Sequence, residues 1–273
     1  MVQKRTMSAI ILTLFLIVVL AINNRILDSI VVTALSIIAM YEYNHALKEA
    51  GHKPIPLVGY CSCLLILTMG LGINTEVKYE LIKFGLPILF LGLYVYVILT
   101  NMKHNIVDIS LTLFSIFYIP MLFSFFKSIL LFEQGRLIIW YVITGAFVSD
   151  VFAFLIGRKY GKRKLCEKIS PKKTVEGAVA GVVSVVIVYV IMTILFNKIF
   201  DLEYNILLVA VLGVVASILG QFGDLTASTI KRYANVKDYG NILPGHGGIL
   251  DRFDSILFVA PVVYIFFKIY LGI

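Results

Sequence analysis

Charge and cysteine are both scarce in this chain. Asp, Glu, Lys and Arg make up 15% of its 273 residues, while 60% are hydrophobic. A soluble domain of that size is closer to half apolar, so almost nothing is left over for a separate water-exposed domain. Only three cysteines occur. Cys61 and Cys63 lie inside an apolar run and Cys166 inside a basic one. That set implies no disulfide framework. A Cys-x-Cys pair without further Cys or His nearby is also a poor zinc site, so the three read as small packing residues. Histidine is thin as well: His45, His52 and His104 fall in loops without clustered partners. Regular apolar–polar alternation is missing, which excludes a membrane β-barrel. No RNA- or DNA-binding module is visible, so the net charge of +8 needs another explanation than nucleic acid.

What the chain has is apolar runs. Its mean hydropathy is +0.95, and a membrane span needs roughly 20 apolar residues. Nine stretches are candidates: Met7–Ile22, Ser29–Tyr41, Ile55–Ile73, Leu81–Thr100, Ile109–Phe132, Leu137–Gly157, Ala178–Ile199, Asn205–Gly223 and Ser255–Ile273. The expected fold is all-α: a polytopic helical membrane protein of about nine spans. It reads as one integral domain, with N-terminal helices over 1–134 and a C-terminal half over 135–273. Lys4 and Arg5 precede the first run as in a signal peptide. No small-residue cleavage site follows, only Asn23-Asn24-Arg25, so the run is kept as a helix. Lys and Arg set the orientation. With the N-terminus in the cytoplasm, 17 of the 24 basic residues fall on the cytoplasmic side and five on the other. The C-terminus is then outside. Lys127 and Lys268 fall within spans; Lys127 reads as a snorkelling side chain and Pro120 beside it as a kink.

Two cytoplasmic loops stand out, both in the C-terminal half. The first begins at Ser149-Asp150 and continues through Gly157, Gly161 and Lys162 to Ser170-Pro171-Lys172-Lys173-Thr174-Val175-Glu176-Gly177. An acid such as Asp150 in an apolar run is costly unless paired or metal-bound. Ser170-Pro171 reads as a helix start, with Ser at the cap and Pro at the first helical position. Lys172 and Lys173 then sit on the first turn, where a positive helix end favours anions. Gly177 and Gly181, four residues apart, suggest close helix packing within the chain or at a homodimer seam.

The second loop runs from Asp224 to Asp254. If the eighth helix continues past the membrane, Asp224, Ser228 and Lys231 share one face. After Gly247-Gly248 the last helix begins, and Asp251, Asp254 and Ser255 share a face with Arg252 pointing elsewhere. Carboxylates near a glycine-rich turn can hold Mg²⁺ against a polyphosphate, while Lys and Arg hold the phosphates. The bland alternative is an interhelical salt bridge such as Asp251 to Lys231.

These residues carry a resemblance. Ser228, Ile230, Lys231, Arg232, Lys237, Asp238, Gly240, Leu243, Pro244, His246, Gly247, Gly248, Ile249, Asp251, Arg252, Phe253 and Asp254 match the signature of the phosphatidate cytidylyltransferase (CDP-diacylglycerol synthase) family without a departure. The strings around Asp150 and Ser170–Gly177 also resemble the family. Phe154 stands where Tyr is expected and Val175 where Trp is common. Residues 1–134 are similar only in hydropathy.

The resemblance implies that CTP and phosphatidic acid give CDP-diacylglycerol and pyrophosphate, with Mg²⁺ held by Asp224 and Asp251. It implies Lys172, Lys173, Lys231, Arg232 and Lys237 as phosphate contacts, with Ser228, Gly247 and Gly248 lining the nucleotide. His246 would bond a phosphate oxygen or pyrophosphate. Asp150, Asp238 and Asp254 would serve a second metal, a ribose hydroxyl or the orientation of a lysine, and Arg252 would pair with one of them. The compact length suggests a bacterial plasma membrane. A transporter fits less well, because the charges gather at one face instead of the midplane. A CTP-dependent lipid kinase and an enzyme acting on an isoprenoid lipid remain the closer rivals. CDP-alcohol phosphatidyltransferases carry Asp-Gly-x-x-Ala-Arg, but Leu225 follows Asp224 here.

Overall fold

The computed structural model describes residues 16–70, 75–242 and 247–272. Two compact units divide the chain, Met1–Lys127 with Ala234–Leu250 and Ser128–Tyr233 with Asp251–Ile273. Among the described residues six helical stretches are long and apolar enough to cross a membrane: Arg25–Glu49, Ile106–Ile129, Gly135–Tyr160, Val175–Phe200, Ile206–Tyr233 and Leu250–Tyr270. The protein is a multi-pass helical membrane protein. Each of the six contains or overlaps one of the nine expected runs. Two of the other runs correspond to the shorter apolar helices Pro56–Thr68 and Pro87–Leu99. Most of Met7–Ile22 lies outside the described residues, with residues 16–22 helical.

The first unit contains α1 (Arg25–Glu49), α2 (Pro56–Thr68), α3 (Thr75–Leu99) and α4 (Ile106–Ile116). A five-residue π-turn (Phe117–Met121) then leads into α5 (Leu122–Ile129). Local chemistry sets the helix ends. The Asn24 side chain accepts the N–H groups of Ile26 and Leu27 and starts α1 at Arg25, earlier than the apolar run alone suggests. Asn105 and Asp108 form a reciprocal capping box at α4. Pro120 falls in the π-turn, where a residue without an N–H is tolerated because the ladder is already interrupted.

Lys127 does not snorkel. Its side chain is fully enclosed, 3.9 Å from Asp28, and Nζ donates to the Arg25 carbonyl at 2.9 Å. The reason is a buried acid 99 positions earlier, which apolar periodicity cannot reveal.

The second unit contains α6 (Gly135–Tyr160), a hairpin of β1 (Lys164–Cys166) and β2 (Ser170–Thr174), α7 (Val175–Phe200), α8 (Ile206–Tyr233) and, from Asp251 onward, α9 (Leu250–Tyr270). The hairpin amends the all-α expectation. It is antiparallel, with Lys164 opposite Thr174 and Cys166 opposite Ser170. Helix α7 shows how these helices sort their faces. Val179, Val183, Ile187 and Ile191 form an exposed apolar stripe, while Gly177, Gly181, Val185, Tyr189 and Thr193 turn inward. In lipid the outward face gains nothing from being polar, and the inward face uses small residues and hydrogen bonds. Inside, Tyr141 meets Tyr189 edge to face at 5.0 Å and its hydroxyl bonds that of Thr193 at 2.9 Å. Farther along, Ser149 and Ser217 pair at 2.9 Å, and Gln221 donates to the Ala178 carbonyl at 3.1 Å. This polar seam ties α6, α7 and α8 together just beneath the charged end of the unit. Gly181 takes part: a Cβ there would lie 3.0 Å from Ser149 O and Oγ. The close packing expected at Gly177 and Gly181 is therefore made within the chain.

Candidate active site

The charged end of the second unit is assembled from the hairpin and the ends of α6, α8 and α9. The hairpin sets the first component. Ser170-Pro171 does not start a helix; Ser170–Thr174 is strand β2, and α7 begins at Val175. Thr174 is the cap, its Oγ1 accepting the Gly177 N–H at 3.2 Å. The Glu176 carboxylate accepts the Lys162 N–H at 3.0 Å, tying the entry of the hairpin to the start of α7. This competing set of bonds explains why Thr174, not Ser170, wins the cap. Gly157 and Gly177 let α6 and α7 meet here: a Cβ at Gly157 would lie 2.7 Å from Thr174 Oγ1, and one at Gly177 would lie 2.5 Å from the Ala153 carbonyl. Lys172 and Lys173 therefore project from a strand one step before the helix. Lys172 is exposed and Lys173 half-buried.

Helix α8 continues to Tyr233, so Asp224, Ser228 and Lys231 share its inner face as the spacing predicts. Lys173 forms an ion pair with Asp224. Lys231 donates to Asp251 at 2.6 Å. Arg232 is exposed, and its Nε donates to the Ile169 carbonyl at 3.2 Å, joining α8 to the hairpin.

Helix α9 starts at Leu250, so Asp251 lies in its first turn and Asp254 and Ser255 follow on the buried side. Asp254 accepts the N–H of Ser255 at 2.7 Å, and Ser255 Oγ donates to Asp150 at 3.3 Å. Gly223 permits the approach of α8: a Cβ there would lie 2.5 Å from the Asp254 carbonyl. Asp254 faces the charges of Asp224, Asp150 and Lys231, and Asp150 those of Asp224, Lys173 and Arg252.

The structure thus brings together Asp150, Lys173, Asp224, Lys231, Asp251, Arg252 and Asp254 in one unit. Ser228 sits on the same face of α8. Lys237 and Asp238 are exposed and belong to the segment Ala234–Leu250 of the other unit, as do Gly247 and Gly248. His246 lies outside the described residues. Gly247 has φ +81°, a left-handed conformation that favours glycine.

Sequence reasoning missed Glu42, which is buried against Gly240 and Gly248. One signal was available. The acid lies immediately beyond an apolar run, and an ionisable residue at membrane depth has a functional reading by default.

The whole-chain comparison decides the family. Residues 3–270 match the model of the cytidylyltransferase family. The chain belongs to that family. It is 33% identical over 264 residues to the phosphatidate cytidylyltransferase of Staphylococcus epidermidis, covering 96% of this chain and 98% of that one. It is also 33% identical over 267 residues to the phosphatidate cytidylyltransferase of Bacillus subtilis, covering 94% and 93%. That of Staphylococcus haemolyticus is 36% identical over 170 residues, covering 62% and 63%.

A divalent cation is a fair test of this cytidylyltransferase-family site. Among the described residues no three His, Cys, Asp or Glu side chains converge tightly enough to hold a metal by themselves. Two of the carboxylates, Asp224 and Asp251, are engaged by lysines. The donors are nevertheless hard oxygens gathered at one end of the bundle. Mg²⁺ is commonly bound by one or two carboxylates with substrate phosphates and water completing the shell. The residues fit an ion shared with a polyphosphate, and not a preformed all-protein cage.

Proposed function

We propose that the protein transfers a cytidylyl group from CTP to phosphatidic acid, giving CDP-diacylglycerol and pyrophosphate. The observation that carries the reading is the pair of lysine–aspartate contacts, Lys173–Asp224 and Lys231–Asp251, at one end of the helical bundle. Each supplies an ammonium for phosphate and a carboxylate for Mg²⁺. On binding a triphosphate each lysine can exchange its carboxylate for phosphate, and the released Asp224 and Asp251 carboxylates would then be the groups to hold Mg²⁺, so that no charge is left unbalanced. The whole-chain likeness to relatives named phosphatidate cytidylyltransferase supports the same assignment.

In the reaction a phosphatidate oxygen attacks the α-phosphorus of CTP. The new P–O bond forms as the bond from that phosphorus to the α–β bridging oxygen breaks, and the electron pair leaves on pyrophosphate. The lipid phosphate is already an anion at neutral pH, so the protein's task is positioning and charge neutralisation more than proton removal. Lys172, Lys173, Lys231 and Arg232 bind and orient the phosphates. Asp224 and Asp251 would hold Mg²⁺, which when bound would neutralise charge on the triphosphate. Asp150 and Asp254 sustain the negative field that keeps the lysines in place, with Arg252 beside Asp150. Lys237 and His246 act on phosphate oxygens, His246 on the departing pyrophosphate, and Asp238 orients a lysine or the ribose.

The membrane spans number about nine, and the basic hairpin and the Lys231–Asp254 stretch face the cytoplasm of a bacterial plasma membrane. The support is the lysine and arginine bias. Cysteines introduced at Lys162 and Asn235 should resist an impermeant reagent in intact cells; labelling at both overturns the orientation. The chemistry is tested by product analysis with CTP, phosphatidic acid and Mg²⁺. Pyrophosphate together with a cytidylylated lipid supports the reading. CDP with a phosphorylated lipid would assign a kinase instead, and no turnover with an isoprenoid or diacyl substrate would remove the enzymatic reading.

A further inference from the structure

Glu42 lies in α1, outside every motif described above, and is only 1% exposed. A buried carboxylate is expensive unless its oxygens are satisfied. Here each oxygen has a backbone donor. The Ile249 N–H donates to Oε1 at 2.9 Å and the Leu250 N–H to Oε2 at 2.8 Å. Both donors belong to the same compact unit as Glu42, although they lie 207 and 208 positions away in sequence. They sit at the start of α9, where the first N–H groups have no helical partner and negative charge is favoured.

Two glycines make room for this acid. A Cβ at Gly240 would fall 2.8 Å from Oε1 and 3.1 Å from Cδ and Cγ of Glu42. A Cβ at Gly248 would overlap both carboxylate oxygens. Gly240, Gly248 and Ile249 are all positions of the signature described above. Gly248 does not adopt a left-handed φ, so conformational freedom does not explain it. The space taken by Glu42 explains both glycines.

We propose that Glu42 is a positioning residue for the reaction. Its carboxylate occupies the space beside Gly240 and Gly248 of the signature. It also fixes the Ile249–Leu250 backbone, which leads directly into Asp251. Glu42 acts on the reaction through the backbone it holds. The proposal rests on the cytidylyl-transfer reading.

The test uses the full-length protein in detergent or lipid and three variants: Glu42→Gln, Glu42→Asp and Gly240→Ala, with Glu42→Asp/Gly240→Ala as the double. Glu42→Gln is isosteric, but its amide nitrogen faces an N–H donor, so it should fold and lose kcat at least about tenfold, with the KM for CTP within about threefold. Glu42→Asp withdraws the carboxylate by one methylene, which leaves room for the added Cβ. The double should therefore be no slower than Gly240→Ala alone, where independent effects would multiply. A merely structural role lowers folded yield and thermal midpoint while leaving kcat per folded molecule unchanged. Unchanged kcat in Glu42→Gln and Glu42→Asp, or multiplying losses in the double, overturns the proposal. A wild-type protein that releases no pyrophosphate overturns the reaction reading and this proposal with it, whereas an active wild type with unaffected variants overturns the Glu42 role alone.

Discussion

The two units each contain lysine–aspartate pairs, and the pairs are built to different ends. In the first unit Lys127 and Asp28 stand 3.9 Å apart with both side chains fully enclosed. In the second, the Lys173–Asp224 pair leaves 25% and 27% of its side chains exposed. The Lys231–Asp251 pair is tighter, at 2.6 Å, with 13% and 4% exposed. A sealed pair cannot exchange partners without unfolding its surroundings. An open pair can, because an incoming phosphate or metal ion replaces what is lost. On the proposed reading, the same two side-chain types act as a structural joint in one place and as an anion and cation site in another. What separates Lys173–Asp224 from the sealed pair is access.

Breaking the sealed pair should have the largest effect, and on stability. Lys127→Ala leaves Asp28 as a buried charge without the ammonium that faces it and should cost about 3–5 kcal/mol. Thermal unfolding in detergent measures this. Replacing both partners, Asp28→Leu with Lys127→Met, should recover most of the loss, because a well-packed apolar pair is often as good as a buried ion pair. Activity per folded molecule should stay near wild type in both.

The pairs of the second unit should act on turnover instead. Asp224→Ala and Asp251→Ala should each lower the rate per folded molecule at least about 100-fold, about 2.7 kcal/mol in barrier, with expression unchanged for the more exposed Asp224→Ala. Assays across Mg²⁺ concentrations check this; a variant keeping more than about a tenth of the rate is not a main metal ligand.

A smaller effect is expected at Lys173. Lys173→Ala should raise the KM for CTP about tenfold, about 1.4 kcal/mol, and change kcat less, because a phosphate contact made in the ground state is kept in the transition state. A fall in kcat with unchanged KM would remove this loop from the triphosphate. The smallest effect concerns the support beneath it. Thr174→Ala removes the cap of α7 and should cost about 1 kcal/mol of stability, with only a modest change in KM.

The same contrast explains what could be read in advance. The helices of the second unit follow from long apolar runs, and Asp224, Ser228 and Lys231 fall on one face of α8 because helical spacing is local. The fate of Ser170-Pro171 is not local. Its helix-start pattern is overridden by Thr174 and Glu176, whose bonds to Gly177 and Lys162 close the hairpin. Lys127 resembles a snorkelling lysine until Asp28 is placed against it. Glu42 is one acid just past an apolar run, and its partners lie more than 200 positions on. Signature residues are legible when their chemistry is carried by their own side chains. Gly240 and Gly248 are not, because what they accommodate is a residue elsewhere in the chain.

The most direct test exchanges the charges of the open pair. In a Lys173→Asp/Asp224→Lys double variant the ion pair can still form, so a pair that serves only as a joint would keep both its folding and its activity. Pyrophosphate release from CTP and phosphatidic acid is measured per folded molecule. The account predicts a folded protein with less than about 1% of wild-type turnover, since phosphate then meets a carboxylate and Mg²⁺ an ammonium. Turnover near the wild-type rate would contradict it and return Lys173 and Asp224 to the role that Lys127 and Asp28 play.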